Sequence, residues 1–344
     1  MTRKEIDPGA IRAMRIGVAA LLASLWIPAC DVAAHAATFQ TFDVSGAIHT
    51  EAWCINRGGA ITGGYTDSSG IDHAFLRAAD GTITTFDVSG AEDTGAYGIN
   101  RKGSITGTYA TNGGEAFHGY VRTADGIITT FDVPKAADTS VSSINGAGAI
   151  AGTYYTRLGV THGYVRTADG TITTFDPSGA ANTEASAIND SGAIAGTYMD
   201  AYALAHGYLR TSDGTITAFD PEGSAGTYAY GINNKGAIAG DFVDGNGAYH
   251  GFVRAADGTV TTFDVPNAIL LYARSIDGKG AIAGYYQDGS YNLHGFLRRA
   301  DGHIRSFDVP GSADTFAQSI DRTGSITGSY FDSNAHYHGF VRIP

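Results

Sequence analysis

The chain has 344 residues, 43% of them hydrophobic, with 48 glycines and a formal net charge of -12 at pH 7. That length supports a sizeable core, but the glycine content excludes a mainly helical protein. The acidic balance argues against nucleic acid and against an anionic membrane surface as partners, because both repel a protein of this sign.

Residues 1–37 differ in composition from the rest. A basic start (Arg3, Lys4, Arg12, Arg15) precedes an apolar run over 16–29 and then small residues ending Ala34-His35-Ala36-Ala37. This is the pattern of a bacterial export signal, and the apolar run is too short to span a bilayer, so no membrane span is expected. Met14 is an alternative start to Met1. Two processing routes compete. Ala34-His35-Ala36 reads as an A-x-A cleavage site and predicts a secreted or periplasmic protein. Ile27-Pro28-Ala29-Cys30 resembles a lipobox with an unfavourable proline and predicts a lipid anchor to the envelope through Cys30. After cleavage at the first site Cys54 is the one cysteine left, and no internal disulfide is expected.

From residue 38 the sequence is periodic. Phe-Asp recurs at Phe42-Asp43, Phe86-Asp87, Phe131-Asp132, Phe175-Asp176, Phe219-Asp220, Phe263-Asp264 and Phe307-Asp308, at spacings of 44 or 45. A second marker, His-small-aromatic-aliphatic-Arg, starts at His73, His118, His162, His206, His250, His294 and His338. A third, Ile-Asn/Asp-x-x-Gly-x-Ile-Ala/Thr-Gly, starts at Ile55, Ile99, Ile144, Ile188, Ile232, Ile276 and Ile320. A period of this length points to a propeller or a solenoid.

Taken in order, each unit predicts four short strands: one ending at Ile-Asn, one through Ile-Ala-Gly-x-Tyr, one at His-Gly-Phe-Val-Arg and one at Ile-Thr-Thr-Phe-Asp-Val. β-Branched and aromatic residues fill them, and Asn-x-x-Gly and Ala-Asp-Gly-Thr supply tight turns between the first pair and the last pair. Such a meander carries apolar residues on both faces, so the units must stack face to face around an axis. A lone fourth strand near Phe39 and a final third strand after His338 complete one another. The predicted fold is therefore all-β: a single seven-bladed β-propeller over 38–344, monomeric, its four-stranded antiparallel blades closed into a ring by the N-terminal strand.

These repeats resemble the HAF family of bacterial extracellular repeats, whose His-Ala-Phe signature stands at His73-Ala74-Phe75; the other six copies read His-Gly-Phe or His-Gly-Tyr. The resemblance covers the chain from residue 38 to its end. It implies an exported repeat protein and supplies no catalytic residues.

Seven copies each of His, Arg and Asp suggest general acid-base chemistry, but a residue present in every blade serves what every blade shares. The Asp of Phe-Asp and the Arg of His-Gly-Phe-Val-Arg are the expected partners on adjacent strands. A ring holds seven histidines too far apart for one metal ion. Gly146-x-Gly148-x-x-x-Gly152 and Gly278-x-Gly280-x-x-x-Gly284 resemble phosphate loops without the helix those loops need, and read as hairpin turns. Asp244-Gly245-Asn246-Gly247 resembles part of a calcium loop but lacks the remaining ligands. G-x-S-x-G, H-E-x-x-H and C-x-x-C do not occur. No catalytic residue, cofactor or metal is assigned, and Cys54 reads as a buried thiol.

In a four-stranded meander the a-b and c-d turns share one end, and the b-c loops and d-a connections share the other. The b-c segments (66–72, 110–117, 155–161, 199–205, 243–249, 287–293, 331–337) vary while the tight turns stay uniform, which marks the b-c end as the candidate binding face. Its candidate ligand residues are Asp200, Tyr202, Asp244, Tyr249, Asp288, Tyr291, Asp332 and Tyr337, since aromatic rings beside carboxylates suit sugars; ordinary solvated loops with tyrosines packed on their own blades are the competing reading. The expected function is a non-catalytic binding or interaction module for a glycan or a protein partner. The alternative is a propeller lyase or glycoside hydrolase with its site at the central mouth of the same face. A deep central pocket with convergent, unrepeated polar groups would favour the enzyme, and a shallow aromatic rim would favour binding.

Overall fold

The structure is a computed structural model that describes residues 37–344; the leader expected over residues 1–37 lies, but for Ala37, outside the described residues, as do the expected cleavage motif and Cys30. Blade 1 comprises β2 (His49–Ile55), β3 (Ile61–Thr66), β4 (Asp72–Arg77) and β5 (Ile83–Phe86). Blades 2 to 6 repeat this order as β6–β9 (residues 93–131), β10–β13 (138–175), β14–β17 (182–219), β18–β21 (224–263) and β22–β25 (268–307). Blade 7 joins β26 (Asp314–Ile320), β27 (Ile326–Phe331) and β28 (Tyr337–Ile343) to β1 (Thr38–Phe42), in the sheet order β1-β28-β27-β26. The register runs from Thr38 opposite Ile343 to Phe42 opposite Gly339, so the split unit closes the ring as its two ends predicted. The first strand of each blade packs beside the first strands of its neighbours, which places these strands around the axis.

Apolar burial between blades holds the ring together. The aromatic two residues after each motif histidine (Phe75, Tyr120, Tyr164, Tyr208, Phe252, Phe296, Phe340) is fully buried, as is the isoleucine that opens each second strand, such as Ile61 and Ile238. Full burial of one such side chain is worth about 1.5–3 kcal/mol, against less than about 1 kcal/mol for an exposed ion pair. Packing therefore dominates. The glycine after each of six histidines is a matter of space: a Cβ on Gly251 would lie 2.2 Å from the Phe263 ring, and one on Gly339 2.6 Å from Phe42.

The repeated polar residues have repeated structural tasks. Each histidine Nδ1 meets the Asp of its own Phe-Asp, from His73–Asp87 at 3.0 Å to His338–Asp43 at 2.8 Å. The ring also stacks on an aromatic of the second strand, as His206 does on Tyr198 at 5.0 Å. The arginine does not pair with that Asp. Its guanidinium lies over the phenylalanine on the outermost strand of the preceding blade, Arg77 over Phe42 at 4.9 Å and Arg122 over Phe86 at 4.7 Å. The expected Asp–Arg pairing is thus corrected: Asp and His face each other across one hairpin, whereas Arg points sideways and cross-links blades by a cation–π contact.

The motif asparagine works twice. Asn145 Oδ1 accepts the turn amides of Ala147 and Ala149, and its Nδ2 donates to the Asn189 carbonyl of the next blade at 3.0 Å. Asn56, Asn100, Asn189 and Asn233 make the same link. Where blades 6 and 7 carry Asp277 and Asp321, the turn amides are still accepted but the side chain has no amide to donate.

Candidate functional site

The site begins as a defect in the ladder. In every blade the first strand has a β-bulge at one matching place: the pairing skips Trp53, Tyr97, Ser142, Ser186, Tyr230 and Gln318, and in blade 6 both Ala273 and Arg274. A bulge re-aims one side chain and leaves an unpaired amide. The amide just before the bulge is satisfied from the neighbouring blade: Val141, Ala185 and Ala229 donate to Thr108, Thr153 and Thr197 Oγ1, and Ala52 to Ser329 Oγ. The freed side chains line an axial cavity of about 460 Å³ with Val141 and Glu184.

Here the sevenfold sequence stops being sevenfold. The register reads Trp, Tyr, Ser, Ser, Tyr, Arg, Gln around the ring. Large side chains of blades 5, 6, 7, 1 and 2 form a continuous wall, and Ser142 and Ser186 leave the space opposite it. Trp53 and Tyr97 stack with centroids 4.7 Å apart and planes 15° apart. Two glycines make room for them: a Cβ on Gly64 would come within 2.7 Å of the Trp53 ring, and one on Gly95 within 3.3 Å of Trp53 and 3.0 Å of Tyr97. The indole N–H donates to Glu51 Oε2 at 3.4 Å. Arg274 lies over the Tyr230 ring at 5.0 Å and its Nε donates to Gln318 Oε1 at 3.3 Å.

Burial pushes the Glu51 and Glu184 carboxyls above the ordinary carboxylate range, partly offset at Glu51 by the indole hydrogen bond. Glu184 is open to the channel yet crowded by protein on its sides. Asp241, at the position of Thr108 and Thr197, accepts the Ala273 amide through Oδ1 while its buried Oδ2 has no partner. Its burial raises the carboxyl pKa strongly, against the opposing pull of that amide and of Arg274. The Tyr230 hydroxyl is likewise pushed up, chiefly by burial.

The opposite end of the axis has its own mouth, about 380 Å³, lined by the motif isoleucines and asparagines together with Arg57, Arg101, Asp190, Lys235 and Arg322. Arg101 reaches Asp190 at 3.3 Å.

The residues singled out on the b-c end lie on blades 4 to 7. The aspartates cap their own turns: Asp200 Oδ1 accepts the amides of Tyr202 and Leu204, Asp244 those of Asn246 and Ala248, Asp288 those of Ser290 and Asn292, and Asp332 those of Asn334 and His336. Their second oxygens approach the Nε2 of the clasp histidines, at 3.4 Å for Asp288–His294 and 3.6 Å for Asp200–His206. Tyr202 is 86% and Tyr291 54% exposed. Tyr249 packs on the blade 6 core, and Tyr337 lies 3.8 Å from the Phe331 ring. The two glycine-rich stretches are hairpin turns, and Cys54 is half-buried against the blade 2 core. Sequence reasoning missed the channel because its residues sit one place inside a uniform motif. The signal available was this register, the position three residues before the motif isoleucine, where the copies differ in chemistry.

Fold and channel together define a velcro-closed seven-bladed propeller with a ligand-sized cavity on its axis. The chain is similar to the β-propeller domain of the Trilobed protease from Pyrococcus furiosus, described as having an open velcro topology, at 8% identity and TM-score 0.59 over 85% of this chain and 96% of that one. It is also similar to a prolyl endopeptidase (11% identity, TM-score 0.62, 83% of this chain and 47% of that one) and to an ancestral GH74 enzyme (10%, 0.50, 89% and 51%). The chain spans about half the length of these last two, and at such identities the likeness shows the fold alone. No protein-family model matches the chain, and no curated protein matches it.

Proposed function

We propose that this is an exported, non-catalytic binding propeller of the HAF type whose ligand, a glycan, enters the axial channel. The observation that carries the reading is the bulge register, the one repeated position that turns seven similar blades into one asymmetric wall. The exposed Tyr97 ring, backed by its stack on Trp53, with hydrogen-bonding groups of Glu184 and Gln318 around it, suits a pyranose ring, whose apolar face stacks and whose hydroxyls need polar partners. Several of these polar groups already hold one another, Glu51 with Trp53 and Arg274 with Gln318, which favours rigid recognition over a mobile acid–base pair. The composition of residues 1–37 and the resemblance of the repeats to the HAF family support export.

A glycan-array screen followed by calorimetry tests this. Binding is expected to fall by about 10-fold or more in W53A, as for loss of a stacked aromatic anchor, and to be unchanged in Y202A/Y291A. The reverse pattern would move the site to the b-c loops. The enzyme reading is favoured by two observations: the axial cavity gathers polar groups that the repeat does not share, and burial raises the Glu184 carboxyl among them. Time-dependent oligosaccharide cleavage that E184Q lacks would put it first.

A further inference from the structure

Arg274 is the point where the channel departs furthest from its repeat. The other first-strand copies of this register are aromatic, small or neutral amide residues, and the one arginine that every blade shares is used elsewhere, over a phenylalanine. Arg274 is the single lysine or arginine lining the cavity. Among the described residues no carboxylate forms a close ion pair with it, although its charge acts on Asp241. Its Nε is held by Gln318 and its plane by the Tyr230 ring, so the fork is oriented before anything binds and its terminal nitrogens remain for a ligand. The nearest buried acid, Asp241, belongs to the second strand of blade 5 and turns one oxygen to the Ala273 amide.

We infer that the glycan of the channel is a carboxylated sugar, its carboxylate taken by Arg274 and its ring lying against the Trp53–Tyr97 surface. This rests on the channel reading proposed above. A planar fork fixed by stacking is suited to bidentate carboxylate recognition, which a lysine at the same place would not reproduce. Sugar and carboxylate have their partners on one wall: Arg274 on blade 6 and Trp53 on blade 1 flank Gln318 of blade 7, and the serines opposite leave room for the ring.

The test is calorimetric titration of the full chain with galacturonate and glucuronate oligomers, their carboxyl-reduced neutral counterparts and the free uronic acids, on the native protein, R274Q, R274K and W53A. Trp26 and Trp53 are the two tryptophans, so in a W26F background indole emission gives a second, channel-specific readout. Acidic oligomers are expected to bind about 10- to 100-fold tighter than the neutral ones, with that preference lost in R274Q and reduced in R274K. Free uronic acids binding as well as the oligomers would place a monosaccharide in the cavity; tighter oligomers would place a polymer segment there. Equal binding of acidic and neutral oligomers, unaffected by R274Q but lost in W53A, would overturn the carboxylate inference and leave the channel reading standing. No binding of any sugar, with an unchanged emission spectrum, would overturn both.

Discussion

Among single residues, Asp241 shows how one substitution inside a repeat changes the local balance. At this place Thr108, Thr153 and Thr197 accept the amide that the neighbouring bulge leaves unpaired. Asp241 does the same and adds a buried oxygen without a partner, in surroundings that favour the neutral acid. The folded pKa of this acid lies above its unfolded value, so the folded state holds a proton that the unfolded chain releases. Stability is therefore lost as pH rises above about 4, the ordinary Asp value, toward the folded pKa. D241T is expected to stabilise the protein at pH 7 by about 1–3 kcal/mol, the cost of an unsatisfied buried polar group, with the gain shrinking toward pH 4. Urea unfolding at the two pH values checks this; no gain at pH 7 would mean that Asp241 has a partner in solution. The repeats made the position visible in the sequence. Its isolation was not, because whether a second carboxyl oxygen finds a donor depends on the packing of two blades.

Each blade as an element carries a clasp between its outer strands, an Asp–His contact that in five blades extends to a turn aspartate. At His73, His206 and His294 burial works to lower the pKa, but the hydrogen bonds and charges of two aspartates outweigh it and the net shift is upward. Their contribution is present below about pH 6.5 and is lost as pH rises through the folded value. The turn aspartates run the other way: backbone amides, chiefly that of Leu204 at Asp200 and of His336 at Asp332, lower their pKa, at Asp332 to about 2. Their contribution is present above about pH 4 and is lost as pH falls through those lowered values. Thermal stability is expected to peak between about pH 4 and 6.5, with an alkaline decline that H206N and H294N flatten; calorimetric melting from pH 2 to 9 measures both limbs. The sequence showed that His and Asp recur together. It suggested arginine as the partner of Asp because charge was the available criterion, whereas strand geometry decided for histidine.

For the whole molecule the decisive link is β1 on β28. Its five residue pairs and the His338–Asp43 clasp join chain segments about 300 residues apart along the sequence, and the stack of Arg77 on Phe42 ties the added strand to blade 1. Deleting residues 38–44 leaves blade 7 with three strands and uncovers the Phe340 face. That variant is expected to melt more than about 10 °C lower and over a broader range. A circular permutant that carries residues 38–44 after Pro344, through an Ala-Asp-Gly turn like those of the other blades, is expected to restore the melting temperature. Failure of the permutant to recover would mean that the ring draws its stability from elsewhere.

The repeat count, the four-strand unit, the ring closure and the structural nature of the repeated His, Arg and Asp were all legible in the sequence, because local propensity and periodicity act along the chain. Which repeated residues touch, and where the copies cease to be equivalent, were decided by tertiary structure. Trp53, Tyr97, Tyr230, Arg274 and Gln318 lie 44 or more residues apart in sequence and share a wall only because a bulge in each first strand turns them toward a common axis. A linear pattern shows such residues as variation; closing the ring makes them neighbours.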